Sequence, residues 1–195
     1  NKELNKELIR LTVCFIKKIL ESRNLEKDLK EKTALKYLGG FLGLMTLNRN
    51  RPIFAKDLDL KEIIIDAYER GRLEPIISFV TKIMEGILNS KVFHLLNPWV
   101  VAIISLLNEI KSKQNLKSSI QTEIEDLFKK LGLDTGKYPS NNLLEKCKVN
   151  AKSQDFVIPV TPQAEQNFEQ IKYCEIFNKV FSLDKLLQKL IQPKQ

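Results

Sequence analysis

The sequence has few of the residues that build reactive centres or covalent frameworks. Its 195 residues include one histidine, three cysteines and one tryptophan. Cys14, Cys147 and Cys174 are widely spaced and form no C-x-x-C motif, which argues against a disulfide framework and a zinc site. His94 has no second histidine or cysteine cluster with which to share a metal ion. We therefore expect no metal, no cofactor and reduced thiols, as in the cytosol or nucleus.

Long apolar runs and processing signals are also scarce. The longest unbroken apolar run, residues 99–104, is far shorter than the roughly 18 residues that a membrane-spanning helix requires. No signal-peptide pattern opens the chain. These features predict a soluble, intracellular protein with no membrane partner. Because the first residue is Asn1 and not methionine, we expect a piece of a longer chain, whose other parts are among its partners.

Catalytic motifs are missing as well. The sequence has no glycine-rich phosphate loop, and no serine or cysteine is placed beside a base. Carboxylates such as Asp57 and Asp59 suit helix caps better than metal ligands. We expect no enzymatic activity.

Positive charge is in excess. Lys and Arg number 32 against 24 Asp and Glu, a formal net charge of +8 with a pI near 9.3. Such a balance suits nucleic acid, a membrane surface or an acidic protein. The clusters RNR at residues 49–51 and KSK at residues 111–113 leave direct RNA binding open as an alternative function. Cations favoured at helix C-termini explain both clusters without RNA.

Helical periodicity is what the sequence has in abundance. Apolar residues recur at helical spacing from residue 60 to 68, 76 to 88 and 116 to 131. Asp57 or Asp59 is available to cap the first of these helices, and Gly71 and Gly132 to end the first and third. Helix starts near residues 31, 74 and 115 recur at the period of HEAT-type repeats. The sequence predicts an all-α solenoid of stacked antiparallel helix pairs, with a compact bundle as the alternative.

The first helix carries two apolar stripes and is therefore expected to be covered on two sides. One stripe is Leu4, Leu8, Leu11 and Phe15, and the other is Ile9, Val13, Ile16 and Leu20.

A later helix begins in SKVFHLLNPWVVAIISLLNEI, residues 90–110. Asn97 is a favoured N-cap and Pro98 a favoured first helical residue. The helix that follows is apolar on nearly all sides, so we expect it to be central, with Trp99 as its buried anchor. His94 lies in the connection before it, where we expect a loop residue and not a reactive one.

Three glycines interrupt another apolar helical pattern, ALKYLGGFLGLMTLNRNRPI at residues 34–53. Each costs about 0.5 to 1 kcal/mol relative to alanine, so a contact must compensate. Gly39 and Gly43 share one face, which predicts close approach of a neighbouring helix; a flexible kink is the alternative.

These stretches together resemble a known family. LKYLGGFLGLMTLNRNRPI, KDLDLKEIIIDAYERG, FVTKIMEGILNSKVF, NPWVVAIISLLNEI and NLKSSIQTEIEDLFKKLGLD are similar, in order and spacing, to the central helical domain of the large Not scaffold subunit of the CCR-NOT mRNA deadenylase complex. The resemblance runs from about residue 34 to residue 144. That domain is similar in turn to the middle domain of initiation factor 4G, MIF4G, a HEAT-type α-solenoid.

The resemblance implies a docking platform. Family members hold a DEDD-type poly(A) deadenylase on one surface and a DEAD-box helicase of the decapping pathway on another, and so couple tail shortening to repression and decay. The implied location is the cytoplasm, in mRNA-decay granules, with the nucleus as a second one. A purely architectural role in the longer chain is an alternative. Candidate partner contacts, all expected to be exposed, are Arg10, Arg49, Arg51, Phe93, His94 and Leu95.

The chain is expected to divide in two. Residues 1–150 are predicted to form the MIF4G-like helical-repeat domain, and the sequence leaves open whether helices of that domain are missing upstream. Residues 151–195 are predicted to be a linker containing Pro159 and Pro162, followed by helices that pack back on the solenoid or on a neighbouring molecule.

Overall fold

The computed structural model describes residues 2–133, 142–147 and 153–156, all within one compact unit, Asn1–Val157. The regular elements within these ranges are helices. The α-helices are α1 (Lys2–Leu20), α2 (Leu29–Met45), α3 (Leu60–Arg70), α4 (Leu73–Met84), α5 (Pro98–Lys111) and α6 (Ser118–Leu131). Short 3-10 helices span Leu47–Arg49, Glu85–Asn89 and Leu144–Lys146. The helices predicted after Pro162 lie outside the described residues.

The six α-helices form three stacked pairs. The second helices of the pairs lie side by side, since α4 packs against α2 on one side and α6 on the other. Each of α1, α3 and α5 packs against the second helix of its own pair. The predicted all-α solenoid is confirmed.

The central helix is α4, and the expectation that α5 is central is wrong. Nine of the 12 residues of α4 are buried, among them Phe79 and Ile83. In contrast α5 belongs to the last pair, and its Val101 and Ala102 are only partly buried. The apolar surface of α5 is covered in part by non-helical chain, because Phe93 of the preceding connection joins the core beside it. A helix that packs against a loop can be as apolar on all sides as one that is surrounded by helices, so the sequence pattern does not distinguish the two cases.

Local signals set the helix ends. The side chain of Asp59, not Asp57, accepts a hydrogen bond from the Lys61 backbone N at 3.0 Å and caps α3. Gly71 and Gly132 end α3 and α6 with left-handed φ angles of 77° and 63°. These are conformations that glycine adopts without steric cost.

Backbone touches backbone where α2 crosses α4. A Cβ added at Gly43 would lie 2.5 Å from the carbonyl oxygen of Ile83, and one at Gly39 would lie 2.7 Å from that of Phe79. Gly86 approaches in return, because its added Cβ would lie 2.6 Å from the Gly43 oxygen. Gly39 and Gly43 thus lie on the contact face of α2.

Two buried carboxylates hold the residues after α6 against the stack. The Glu109 side chain, only 2% exposed, accepts hydrogen bonds from the backbone N atoms of Leu144 at 2.8 Å and Leu143 at 3.1 Å. The Asp155 side chain, 3% exposed, accepts one from the backbone N of Leu73 at 2.8 Å. Burial raises the pKa of Asp155.

The Asp155 contact supplies a helix cap from far along the chain. Leu73 is the first residue of α4, and the residue before it, Arg72, makes no side-chain capping bond. The carbonyl oxygen of Asp155 also accepts a hydrogen bond from the backbone N of Lys117 at 2.9 Å, just before α6. Residues 153–156 therefore join the starts of α4 and α6, although the predicted domain limit lay at residue 150.

Candidate partner-binding site

The described residues carry several surface features that a partner could bind. In the part of the chain that the structure describes, no helix is long and apolar enough to cross a membrane. Within the same ranges, no three His, Cys, Asp or Glu side chains lie together as a metal site would require. The features that remain are a groove, an exposed connection and an apolar face.

The groove, which we call the α1 groove, lies between α1 and the connection that leads from α2 to α3. It encloses about 550 Å³. The connection reaches this position because Asn50 adopts a left-handed φ of 58° after the 3-10 helix, which lets the chain reverse at the end of α2. The residues that line it are Lys6, Glu7, Ile9, Arg10, Val13, Leu42, Thr46, Arg51, Pro52, Ile53, Phe54, Lys56 and Asp57.

Charges of both signs stand at the rim of the α1 groove. The Arg10 guanidinium donates to the Glu7 carboxylate, with Nη2 to Oε1 at 2.6 Å and Nε to Oε2 at 3.0 Å. This hydrogen bond lowers the pKa of Glu7 and raises that of Arg10. The ammonium group of Lys56 lies 5.6 Å from the centre of the exposed Phe54 ring.

The candidate contact residues divide between two places. Arg10 and Arg51 meet in the α1 groove, whereas Arg49 is exposed outside it. His94 is exposed in the connection before α5. Its ring nitrogen Nδ1 accepts a hydrogen bond from the backbone N of Leu96 at 3.2 Å, so the ring is part of a local turn.

The expectation that Phe93 and Leu95 are exposed is wrong. Phe93 is 8% exposed, because its ring packs edge-on against Trp99 with centroids 6.1 Å apart. Leu95 is half-buried and packs against the core. The exposed apolar side chains of this connection are instead Val92 (49%) and Leu96 (82%), which the sequence did not single out.

Trp99 packs against the core but is only partly buried. Asn97 and Pro98 start α5, since the Asn97 side-chain oxygen accepts a hydrogen bond from the Trp99 backbone N at 3.0 Å.

Asn50 links the two places. Its side-chain oxygen accepts hydrogen bonds from the backbone N atoms of Lys91 at 2.8 Å and Val92 at 3.1 Å, and from the Ser90 hydroxyl at 3.0 Å. The turn after α2 and the connection before α5 are therefore neighbours. Arg49 lies in the turn and His94 in the connection, and both are candidate contacts.

Both helices of the first pair carry exposed apolar side chains. On α1 the stripe of Ile9, Val13, Ile16 and Leu20 packs inward, but the other stripe is exposed, so the expectation of cover on both sides is not met within the described residues. At 100° per residue, three exposed α2 residues lie on the side opposite the glycine contact. The exposed residues, here called the α1–α2 face, are Leu4, Leu8, Leu11, Phe15, Tyr37, Phe41 and Leu44.

The KSK cluster is partly neutralised. Lys111 forms an ion pair with Glu125 at 3.2 Å, and Lys113 lies 4.0 Å from Glu109. Both of its cations therefore have a carboxylate partner, which leaves less charge for phosphate groups.

The family model described as the CCR4-NOT transcription complex subunit 1 CAF1-binding domain matches residues 1–154. The chain belongs to this family. The match includes α1 to α6 and so extends upstream of residue 34, where the recognisable motifs begin.

Relatives of the chain carry related names. It is 40% identical over 119 residues to general negative regulator of transcription subunit 1 of Saccharomyces cerevisiae. The aligned residues make up 61% of the chain and 6% of that protein. The namesake from Schizosaccharomyces pombe is 29% identical over 161 residues, 80% of the chain and 8% of that protein. The CCR4-NOT transcription complex subunit let-711 of Caenorhabditis elegans is 32% identical over 117 residues, 59% of the chain and 4% of that protein. The chain thus spans a small part of these relatives' length.

Proposed function

We propose that this chain is a scaffold domain that docks a poly(A) deadenylase of the CAF1 type, a DEDD-family exonuclease. The observation that carries the proposal is the match of a CAF1-binding domain to residues 1–154, which include the whole stack of six helices. The domain contributes position and not chemistry, since the catalytic residues belong to the docked enzyme. We place this activity in the cytoplasm, where mRNA decay proceeds.

A DEAD-box helicase is the second proposed partner, and its docking couples deadenylation to repression and decay. Two chemically different surfaces support a platform with two occupants. The α1–α2 face is apolar, whereas the turn after α2 presents Arg49 and Arg51 beside the exposed His94 connection. Protein interfaces with these different characters are recognised by different partners.

Separate loss of the two partnerships tests this proposal. One variant carries Arg49→Glu and Arg51→Glu, and the other carries Leu8→Glu and Phe15→Glu, all at residues that are exposed or partly so. Each is titrated with purified CAF1-type deadenylase, DEAD-box helicase and poly(A) RNA in parallel. We expect each variant to weaken one protein partner and spare the other.

Direct RNA binding is the competing function, because of the net charge of +8. It would appear as binding of poly(A) at physiological salt with a steep salt dependence that the double arginine variant removes. If RNA behaves in this way while neither protein binds the unmodified chain, the scaffold proposal is refuted.

A further inference from the structure

The α1 groove has an apolar floor that three separate elements build. Ile9 and Val13 come from α1, Leu42 from α2 and Ile53 from the connection that follows. Leu42 is buried, whereas the other three are only partly covered and pack against the core at their inner side. The groove volume of about 550 Å³ is within the range of clefts that enclose a ligand. Apolar side chains of a partner would gain by covering this floor.

Cations outnumber carboxylates in the lining of the same groove, with Lys6, Arg10, Arg51 and Lys56 against Glu7 and Asp57. Arg10 is already engaged by Glu7. In the described parts of the chain, no carboxylate lies within ion-pair distance of Lys6, Arg51 or Lys56. A ligand that places carboxylates at the rim would supply these partners, and such charge complementarity fixes the register of a bound segment.

The floor favours protein over nucleic acid. Single-stranded nucleic acid binds where several aromatic rings stack on successive bases above a cationic track. Here the four floor residues are aliphatic, and the one aromatic ring in the lining, Phe54, already has the Lys56 ammonium beside it. Aliphatic floors with charged rims are typical of grooves that take a short amphipathic segment of a partner protein.

We propose that the α1 groove binds a short acidic segment of a partner protein, whose apolar side chains reach the floor formed by Ile9, Val13 and Ile53 while its carboxylates meet Lys6, Arg51 and Lys56. The site goes beyond the proposed docking of folded enzymes, because its ligand is a linear segment. That segment is recognised by its alternation of apolar and acidic side chains. Arg51 also belongs to the surface proposed above for an enzyme partner, so the test of the groove uses peptides and neither enzyme.

Three synthetic peptides of equal length test the two halves of this recognition. The first alternates Glu with Leu and Phe, the second carries Lys in place of each Glu, and the third keeps every Glu but has Ser in place of each apolar residue. Each is labelled with fluorescein and titrated against the intact chain by fluorescence anisotropy. We expect only the first peptide to bind, with an affinity that falls as salt is added.

Variants of the chain then locate the binding. Arg51→Glu and Phe54→Ala change the rim, where Phe54 is 56% exposed and Arg51 is partly exposed. We expect roughly tenfold weaker binding of the first peptide for Arg51→Glu. Arg23→Glu is the matched control, because it makes the same charge change at an exposed position outside the groove. Thermal melts of all three variants check that each is folded.

Four results would overturn the proposal. The Lys or Ser peptide could bind as tightly as the first, the first peptide could fail to bind the folded chain, or its affinity could be equal in the Arg51 and Arg23 variants. Poly(A) RNA could instead bind in an Arg51-dependent manner while no peptide does, which would make the groove an RNA site. None of these results depends on a deadenylase, so failure here is distinct from failure of the scaffold function.

Discussion

Substituting Gly43 by alanine adds one methyl group where α2 meets α4. The added Cβ would lie 2.5 Å from the Ile83 carbonyl oxygen, 3.1 Å from its Cα and 3.2 Å from its carbonyl carbon. All three are backbone atoms of the buried central helix, so no side-chain rotation relieves the clash. The two helices must move apart, and the buried side chains on either side of the contact lose packing.

Two opposing effects set the magnitude. Alanine is a better helix former than glycine and by itself adds about 0.5 to 1 kcal/mol. Overpacking a well-packed contact costs about 1 to 3 kcal/mol, and a backbone clash belongs at the upper end of that range. We expect a net loss of about 1 to 2 kcal/mol in the free energy of unfolding, which for a chain of this size lowers Tm by roughly 2 to 8 °C.

Gly40→Ala is the matched control. Gly40 is in the same helix, but a Cβ added there meets nothing within 4 Å. The Gly40→Ala variant gains the higher helix propensity of alanine without a clash, so its Tm should rise above that of the unmodified chain. Thermal unfolding followed by circular dichroism at 222 nm, a standard helix signal, measures both variants. If Gly43→Ala melts as high as Gly40→Ala, the close contact between α2 and α4 is refuted.

Three further predictions concern burial, capping and charge. Trp99→Ala should cost about 2 to 3 kcal/mol by chemical denaturation, less than the 3 to 5 typical of a fully buried ring, because Trp99 is only partly buried beside Phe93; unchanged stability with lost partner binding would make it an interface residue instead. Asp155→Ala should cost about 1 to 3 kcal/mol, since it leaves the Leu73 backbone N without its acceptor, and a melt equal to the unmodified chain would contradict the distal cap. Burial acts to raise the pKa of Glu85, but hydrogen bonds from two lysines outweigh it and lower that pKa in the fold. The carboxylate therefore stabilises the fold above its usual pKa of 4.5 and loses this effect as pH falls through the lowered value; a stability difference from Glu85→Gln that does not shrink on acidification would show the reasoning to be wrong.

Local features of this fold could be predicted from sequence because their causes are local. The periodicity of apolar residues located the helices, and Asp59, Gly71 and Asn97 marked their ends through bonds to residues two to four positions away. The spacing of these helices predicted stacked antiparallel pairs but left a compact bundle open, and the structure shows the solenoid.

Non-local contacts escaped prediction for the converse reason. Asp155 caps α4 from 82 residues away, and nothing near it in the sequence marks it as a cap. Asn50 joins two connections about 40 residues apart through one side-chain oxygen. Phe93 lies in a connection and was expected to be exposed, but its ring packs against Trp99. In each case the partner is fixed by the fold and not by the neighbouring sequence.

The candidate site shows the same limit. The sequence drew attention to Arg10 and Arg51 as separate cations, and only the fold places them at one groove. The apolar stripe on α1 was visible in the sequence, but whether it faced a neighbour was not.

The most direct test of the scaffold function is sedimentation velocity of this chain mixed with a purified CAF1-type deadenylase. The proposed docking, which rests on the family match over residues 1–154, predicts a boundary that sediments faster than either protein alone. A chain of residues 1–157, the compact unit, should give the same complex. Independent sedimentation of the two proteins, with the chain still folded by circular dichroism, would contradict the proposed docking role.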